Sequence, residues 1–206
     1  LTNEGVIASI GHTAASPEEI RDAVSAGARV STHLGNGSHA QTPRLRNYIW
    51  EQLACDDLTA GIITDGYHLP PAVVKTMTRA KGLSRLFLVT DVAVHGGAVP
   101  GVYPWGDNMV EVFSDGHLGL HKTDFLAGAG HLFDHNLAQF IRFSGIGLAD
   151  AVRAVTLTPA RFVGPELTED FYRRGALADF VLFDYSPGQD KLEVRKTIGA
   201  GRVLYG

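Results

Sequence analysis

The first half of the chain repeats one pattern of apolar and polar positions. Four short apolar runs each end in polar residues, and a segment with helix signals separates one run from the next. The runs are residues 6–10, 28–31, 61–64 and 86–90. Strands that alternate with helices are typical of βα units and a parallel sheet, whose strands are buried on both faces. The pattern therefore predicts four βα units between residues 5 and 91.

Local signals mark where the intervening helices begin. Ser16, Pro17 and Glu19 supply an N-cap serine, a proline at the first helical position and a glutamate three residues after the cap. The next two helices are predicted over residues 47–55 and 71–80.

The pattern changes after residue 91. A glycine-rich loop precedes a predicted hairpin, whose first strand is 109–113 and whose turn is 114–117. Further helices are predicted over residues 130–141, 148–155 and 158–163, and strands over 180–183, 192–197 and 202–205.

Composition narrows the classes of protein that fit these elements. The chain has 206 residues, is 45% hydrophobic and carries a formal charge of −4, as is ordinary for a globular protein. The small acidic excess argues against nucleic-acid binding, and the apolar runs are too short to cross a membrane. Cys55 is the only cysteine, which excludes an internal disulfide and fits a reducing compartment, so we expect a cytoplasmic protein.

Polar side chains follow each of the four apolar runs. The first three runs lead into His12, His33 and His68, and the fourth leads into Asp91. In parallel α/β proteins the carboxyl ends of the strands carry the active site, so these side chains are expected to converge. Three imidazoles and a carboxylate suit a hydrolytic metal site. A single histidine at a strand end is more often structural, but four polar residues in register favour the metal site.

The remaining histidines and Asp65 have more ordinary interpretations. His39, in a polar loop, could contact substrate, and His95 could line the cleft. The histidines of the hairpin and of the following helical segment are interpreted as solvated or structural: His117, His121, His131 and His135. Asp65 has two open interpretations, because it could orient a neighbouring side chain or cap the turn at Gly66.

Four short motifs resemble those of one enzyme family. They are Gly11-His12-Thr13, Thr32-His33-Leu34-Gly35-Asn36, Asp65-Gly66-Tyr67-His68 and Leu88-Val89-Thr90-Asp91. In order and spacing they resemble the N-acetylglucosamine-6-phosphate deacetylase branch of the amidohydrolase superfamily. Leu126-Ala127-Gly128, Pro159-Ala160 and the stretch 175–181 extend the resemblance over nearly the whole chain.

The resemblance implies a fold and a division of the chain. The family folds as a (β/α)8 barrel of the TIM type with a small β-sandwich. We therefore expect an α/β protein that holds the C-terminal half of such a barrel, strands 5–8, plus a small β segment of the sandwich. Residues 1–164 would form the barrel portion and residues 165–206 the C-terminal β segment.

The resemblance also implies roles for individual residues. His12 and His33 are expected to bind a divalent metal, Zn²⁺ in the first place, with Fe²⁺ or Mn²⁺ as alternatives. His68 would hydrogen-bond the carbonyl oxygen of the substrate amide and stabilise the oxyanion. Asp91 would act as general base toward the attacking water and then as general acid toward the leaving amine.

The sequence departs from the family pattern upstream of His12. Family members carry a metal-binding Glu on an earlier strand, whereas this chain starts at Leu1, one strand before His12. We therefore expect the chain to be the C-terminal part of a longer enzyme.

A second departure lies in the loop after Asn36. Asn36 and the backbone at Gly37 would hold the sugar or its phosphate, but the family usually reads Asn-Ala-Met here, with a phosphate-binding Arg further on. Arg44 and Arg46 are the candidates for that role, with an ordinary surface role as the alternative. Ala129 also replaces the Ser that is common in the family after Ala-Gly.

These assignments supply what amide hydrolysis needs: an activated water, a stabilised oxyanion and a protonated leaving amine. The sequence therefore predicts a metal-dependent amidohydrolase that deacetylates an N-acetyl amino sugar, N-acetylglucosamine 6-phosphate above all, to the amino sugar and acetate. We expect this small-molecule substrate and a homodimer, but no nucleic-acid or membrane partner. Two alternatives are an amidohydrolase acting on another amide, cyclic amide or deaminable base, and an inactive fragment that only binds a partner or ligand.

Overall fold

A four-stranded parallel sheet forms the first half of the chain. The computed structural model describes residues 1–164 and 173–206. The strands lie side by side in chain order and all pair in parallel: β1 (Ala8–Ile10), β2 (Ala28–Ser31), β3 (Thr59–Ile62) and β4 (Leu86–Leu88). The connecting helices are α1 (Pro17–Ser25), α2 (Tyr48–Ala54) and α3 (Pro71–Lys81). The predicted α/β class and the alternation of strand and helix are thus confirmed, although β3 begins two residues earlier than the predicted 61–64.

The predicted starts of α1 and α2 are confirmed by side-chain hydrogen bonds, whereas α4 begins at Phe133, three residues after its predicted start. The Ser16 hydroxyl accepts the backbone N–H of Glu19, and the Glu19 carboxylate accepts the N–H of Ser16, which completes a capping box at α1. At α2 the side chain of Asn47 accepts the N–H groups of Ile49 and Trp50. Each cap satisfies donors that the first helical turn leaves without a partner.

The core lies between the parallel sheet and the helices that pack on it. The side chains of Ile62, Leu86, Val74 and Phe140 are fully buried within it. Lys81 at the end of α3 is also buried, and its Nζ donates to the carbonyl oxygens of Gln52 (3.1 Å) and Cys55 (2.6 Å) at the end of α2. Burial lowers the pKa of Lys81, because the charged ammonium is poorly solvated there.

A small antiparallel sheet follows β4. It contains β5 (Gly101–Trp105), β6 (Asn108–Val112) and β7 (Leu118–Leu120), in that order. The predicted hairpin corresponds to β6 and β7, but no strand was expected at β5. Pro104 lies in β5, opposite Met109, and proline argues against a central strand; β5 tolerates it because it lies at an edge of this sheet.

Three helices and a second antiparallel sheet complete the described chain. The helices are α4 (Phe133–Ser144), α5 (Leu148–Val155) and α6 (Leu157–Val163). The sheet contains β8 (Phe180–Asp184), β9 (Glu193–Gly199) and β10 (Arg202–Tyr205), with β9 in the centre. The predicted C-terminal segment starts at 165, and residues 165–172 lie outside the described residues.

The C-terminal sheet is attached to α4 through the loop between β8 and β9. The N–H of Leu192 donates to the carbonyl oxygen of Asp134 (3.0 Å), and the Gln139 side chain donates to the carbonyl oxygen of Asp190 (2.9 Å). Leu192 itself is buried in the main core. Within the described ranges, no helix is long and apolar enough to cross a membrane.

Candidate functional site

The four polar residues predicted from the strand ends lie at one edge of the parallel sheet. His12 and His33 each come two residues after a strand, β1 and β2, and Asp91 comes three residues after β4. The segment from Asp65 to His68 follows β3. Since β1 to β4 are all parallel, their carboxyl ends meet at the same edge, where α/β proteins place their chemistry.

The rings of His12 and His33 lie against each other. Their centroids are 4.8 Å apart and their planes are inclined by 49°. The Nδ1 atom of His33 is buried and has no hydrogen-bond partner among the described residues. A buried ring nitrogen without a partner costs free energy, so this atom is open to a metal ion or to a polar group of a ligand.

The backbone of Gly37 lies close to the ring of His12. Its φ of +64° lies in the left-handed region, and a Cβ atom built there would collide with the imidazole. Only glycine accommodates both the backbone conformation and the close approach. The side-chain nitrogen of neighbouring Asn36 is buried without a partner within the described residues, so it too is available to a ligand.

Asp65 and His68 form a buried hydrogen-bonded pair. The Asp65 Oδ2 atom lies 2.7 Å from His68 Nδ1, and the exposed fractions of the two side chains are 2% and 8%. The second carboxylate oxygen accepts the backbone N–H groups of Tyr67 and His68, each at 2.9 Å. Asp65 therefore does both things that the sequence left open: it caps the turn and it orients a neighbour.

The ionised state of Asp65 determines which ring nitrogen of His68 carries the proton that lies between the two side chains. Burial alone would raise the pKa of Asp65, but the hydrogen bonds and charge of His68 and the N–H of Tyr67 outweigh it and lower the pKa below its ordinary value. Asp65 is then a carboxylate, which only accepts hydrogen bonds, so Nδ1 of His68 carries the proton. The other ring nitrogen, Nε2, is left to face a ligand.

The loop that carries this pair is anchored to α4. The Nε2 atom of His135 donates to the carbonyl oxygen of Asp65 (3.1 Å), and the Thr64 hydroxyl donates to the carbonyl oxygen of Asn136 (2.8 Å). These contacts join residues about seventy positions apart in the sequence. Helix α4 thus holds the loop at the end of β3 in place.

Asp91 is exposed and lies next to the segment that contains Ala129. Its carbonyl oxygen accepts the N–H of Ala129 (3.0 Å), and the Ala129 carbonyl accepts the N–H of Ala93 (2.9 Å). Within residues 1–164 and 173–206 its carboxylate makes no hydrogen bond or ion pair. Asp91 and His33 also have positive φ angles, +52° and +27°, a conformation that costs about 1–3 kcal/mol for a residue other than glycine and that clusters at functional sites.

The two candidate arginines are both exposed, and one of them is paired with a carboxylate. Arg46 donates to Glu18 at the start of α1 (2.7 Å), and this pairing lowers the pKa of Glu18 to about 2. Arg44 is exposed and makes no ion pair with any described residue. Substrate binding by Arg44 and Arg46 stays a prediction.

Of the six other histidines, His121 pairs with Glu111 (2.9 Å), and the remaining five fall into two groups. His39 lies beside Tyr48, with its Nδ1 3.0 Å from the hydroxyl, and His95 stacks on Tyr103, with ring centroids 5.5 Å apart. Three more join an aromatic stack with Tyr67, which sequence analysis did not foresee: His117, His131 and His135. Contacts across so many positions leave no periodic signal that could have indicated them.

The donor set fits part of a metal site. The described residues contain no cluster of three or more His, Cys, Asp or Glu side chains arranged to hold a metal ion. The His12 and His33 rings nevertheless lie side by side, and a buried nitrogen of His33 lacks a partner. Two neighbouring imidazoles suit Zn²⁺ or a similar ion, which needs at least one more protein ligand for a firm site.

The fold and this edge of the sheet define an α/β protein with hydrogen-bonding and ionisable side chains gathered at the ends of parallel strands. No family model matches the chain. It is 37% identical over 210 residues to N-acetylglucosamine-6-phosphate deacetylase of Bacillus subtilis. It is 34% identical over 215 residues to N-acetylgalactosamine-6-phosphate deacetylase of a Shewanella strain. Both alignments include the whole chain, which spans about half the length of the curated relatives it matches.

Solved structures agree with these relatives. The crystal structure of N-acetyl-D-glucosamine-6-phosphate deacetylase from Mycobacterium smegmatis matches with 31% identity and a TM-score of 0.86. The match covers all of the present chain and 53% of the Mycobacterium smegmatis chain. A variant of that enzyme has been solved in complex with N-acetyl-D-glucosamine-6-phosphate. The chain is thus a relative of the N-acetylglucosamine-6-phosphate deacetylases, which confirms the resemblance found in its motifs; the half-length match fits their C-terminal portion.

Proposed function

We propose that the full-length protein is a metal-dependent deacetylase that hydrolyses an N-acetyl amino sugar 6-phosphate to the amino sugar and acetate. The observation that carries this proposal is the set of His12, His33, the Asp65–His68 pair and Asp91 at one edge of the parallel sheet. This set lies in a chain whose whole length aligns with deacetylases of that substrate class.

The proposal includes a larger architecture. Strands β1 to β4 would be strands 5–8 of a (β/α)8 barrel, in residues 1–164, and β8 to β10 would be part of a β-sandwich in residues 165–206. The parallel order of β1 to β4 supports the first part, because consecutive parallel strands joined by helices are what a barrel requires.

His12 and His33 would hold the divalent metal, Zn²⁺ in the first place. When bound, such an ion acts as a Lewis acid and lowers the pKa of water at the site. The buried, unpartnered nitrogen of His33 supports this assignment within the part of the chain that the structure describes. Gly37 supports the ring of His12 from one side and limits how it can turn.

His68 would stabilise the oxyanion that develops from the amide carbonyl. Asp65 accepts the Nδ1–H of His68 and holds the ring in one orientation. When Nε2 also carries a proton, its N–H donates to the oxyanion, and the buried surroundings strengthen the interaction.

Asp91 would move the proton. Its carboxylate is exposed and makes no hydrogen bond within the described ranges, so it is free to accept a proton from the attacking water. It would then deliver this proton to the leaving amine, which must be protonated to depart from the tetrahedral centre.

Asn36 and the backbone of Gly37 would bind the sugar or its phosphate. The unpartnered side-chain nitrogen of Asn36 is a suitable hydrogen-bond donor. Arg44 is the arginine that is available for the phosphate without losing a partner, because Arg46 is engaged by Glu18.

The proposal is tested by the release of acetate from N-acetylglucosamine 6-phosphate by the purified full-length protein. Asp91→Asn should keep the metal content and lower kcat by about 10²- to 10⁴-fold, because the variant cannot accept the proton. Asp107→Asn, in the exposed turn between β5 and β6, is the matched control and should leave kcat unchanged. Full activity of Asp91→Asn would remove Asp91 from this role.

Two further substrates define the class more closely. N-acetylgalactosamine 6-phosphate belongs in the assay because a relative that is 34% identical is named for it. N-acetylglucosamine without phosphate tests the phosphate itself: equal kcat/KM with and without the phosphate would exclude the 6-phosphate requirement.

A further inference from the structure

Five aromatic rings of the described residues stack in one column beside the Asp65–His68 pair. The rings follow one another in the order Phe113, His117, Tyr67, His131 and His135. Successive centroids are 4.1, 4.6, 5.6 and 4.1 Å apart, and the planes of successive rings are inclined by 4°, 19°, 17° and 27°. Each contact is close to the parallel, offset geometry that aromatic pairs favour.

The column joins three separate parts of the fold. Phe113 and His117 belong to the turn between β6 and β7, Tyr67 to the loop after β3, and His131 and His135 to the start of α4. Tyr67 is the middle ring: it stacks on histidines from two other segments, although 38% of the residue remains exposed.

Backbone contacts hold the turn against the segment before α4. A Cβ atom added to Gly130 would collide with the carbonyl oxygen of Gly116, and one added to Gly116 would lie 2.9 Å from the ring of His131. The small antiparallel sheet therefore packs directly on the segment that supplies His131, with no space for a side chain between them.

The hydroxyl of Tyr67 interacts electrostatically with the carboxylate of Asp115. That carboxylate is also hydrogen-bonded to Nδ1 of His117. Burial and this carboxylate raise the pKa of Tyr67 to about 12, so the hydroxyl keeps its proton near neutral pH. Burial and the neighbouring His135 lower the pKa of His131, which keeps that ring neutral in the stack.

Tyr67 is linked to the candidate catalytic histidine at two points. It is the residue directly before His68, and its backbone N–H donates to the same Asp65 carboxylate that holds the His68 ring. At the other end of the column His135 donates to the carbonyl oxygen of Asp65. The column thus contacts both sides of the turn that presents His68.

We propose that Tyr67 is a positioning residue: stacked on His117 and His131, it fixes the turn that orients the His68 ring. The small antiparallel sheet thereby sets the geometry of a side chain in the neighbouring parallel sheet. The catalytic consequence rests on the function proposed above. The structural consequence, a single orientation of the His68 ring, does not depend on that function.

The test compares two substitutions at Tyr67 in the full-length protein. Tyr67→Leu removes both ring contacts and the hydroxyl, whereas Tyr67→Phe keeps the ring contacts and loses only the hydroxyl. Tyr103→Leu is the matched control, since Tyr103 stacks on His95 in the same small sheet but lies outside the column. His117→Ala is a second variant that opens one face of Tyr67 from an exposed turn, in case Tyr67→Leu does not fold.

The first readout is nuclear magnetic resonance of the histidine rings. The His68 Nδ1–H proton, hydrogen-bonded to a carboxylate, should give a far-downfield resonance in the wild type. Tyr67→Leu, or His117→Ala in its place, should shift this resonance or broaden it beyond detection. Tyr67→Phe should retain the resonance at its wild-type position. An unchanged resonance in Tyr67→Leu or His117→Ala, or an equal change in Tyr103→Leu, would overturn the proposal.

The second readout is steady-state deacetylation. Tyr67→Leu should lower kcat by about 10- to 100-fold with KM nearly unchanged, because a misplaced His68 weakens an interaction made in the transition state. Equal losses in kcat and in affinity would indicate general damage to the site and contradict the proposal. A wild-type protein without deacetylase activity would defeat the proposed function alone, and the resonance of His68 would still decide whether Tyr67 positions it.

Discussion

Two pairs of side chains at the same edge of the sheet differ in how completely the protein satisfies them. In the pair Asp65–His68, both carboxylate oxygens and Nδ1 of the ring have hydrogen-bond partners. In the pair His12–His33, the rings touch, but a buried nitrogen of His33 has no partner within the described residues. The first pair is complete by itself. The second pair leaves a buried ring nitrogen open to a ligand, and we propose that this ligand is a metal ion.

The difference follows from how each pair is assembled. Asp65 and His68 are three residues apart, so one turn brings them together and a single carboxylate binds both the backbone and the ring. His12 and His33 come from two strands, and the pairing of β1 with β2 sets their separation. The first pair therefore depends on the local turn and its supports, and the second depends on the sheet and on the ligand it binds.

Among the variants that test this comparison, the largest effect is expected when the complete pair is broken. Asp65→Asn keeps the shape and one acceptor oxygen but removes the negative charge that lies beside Nδ1 of His68. We expect kcat for deacetylation to fall by about 10²-fold, the cost of losing one oxyanion donor. Asp56→Asn, at a carboxylate paired with Arg85 on the surface, is the control. Wild-type kcat in Asp65→Asn would separate Asp65 from the reaction.

The incomplete pair should respond in metal content instead. His33→Ala removes one of the two metal ligands that we propose in this chain, so we expect the metal affinity of the full-length protein to fall by more than about 10-fold. Elemental analysis of the purified variant measures this loss, and His39→Ala, whose ring lies beside Tyr48, should retain the metal. Equal metal content in His33→Ala and wild type would exclude His33 as a ligand.

Gly37→Ala tests how firmly the backbone supports His12. We expect the variant to lose about 1–3 kcal/mol of unfolding free energy, from the positive φ and from the collision with the imidazole. Gly106→Ala separates the two causes, because its φ is +57° but nothing described lies within 4 Å of an added Cβ. Chemical denaturation measures both. Equal losses in the two variants would show that the contact with His12 costs nothing.

The smallest effect is expected in the pH dependence of stability. The pKa of Asp65 is lowered in the folded protein, so its ionised form contributes stability above the ordinary carboxyl pKa of about 4. This contribution is lost as the pH falls from there through the folded pKa. Urea unfolding of wild type and Asp65→Asn between neutral pH and about pH 3 should therefore show a difference that shrinks on acidification. Parallel curves would contradict the lowered pKa.

Much of the fold could be predicted from the sequence because its signals are local. Ser16 and Glu19 lie three residues apart, and their capping box is present as expected. The apolar runs predicted the parallel strands, with bounds that differ by about two residues. Pro104 concealed β5, since a proline is compatible with a strand only at a sheet edge and the sequence does not show where the edge is.

The candidate site was predictable in part for the same reason. The residues at the strand ends were found because a parallel sheet places all carboxyl ends on one side. The sequence could not distinguish the two roles of Asp65, because an aspartate at this position is expected both for capping the turn and for binding the ring. The aromatic column around Tyr67 was missed entirely, since its members come from three segments whose contact depends on how two sheets and a helix pack.

The sequence by itself determined the alternation of strands and helices, the helix caps, the polar residues at the strand ends and the family to which they point. Each of these depends on neighbours within a few positions or on a rule that holds for all parallel sheets. Only the tertiary structure decided that His33 keeps a buried nitrogen open, that Arg46 is engaged by Glu18, and that Tyr67, next to His68, stacks on two histidines. These features require atoms far apart in the chain to approach within a few ångströms, and packing alone decides which of them do.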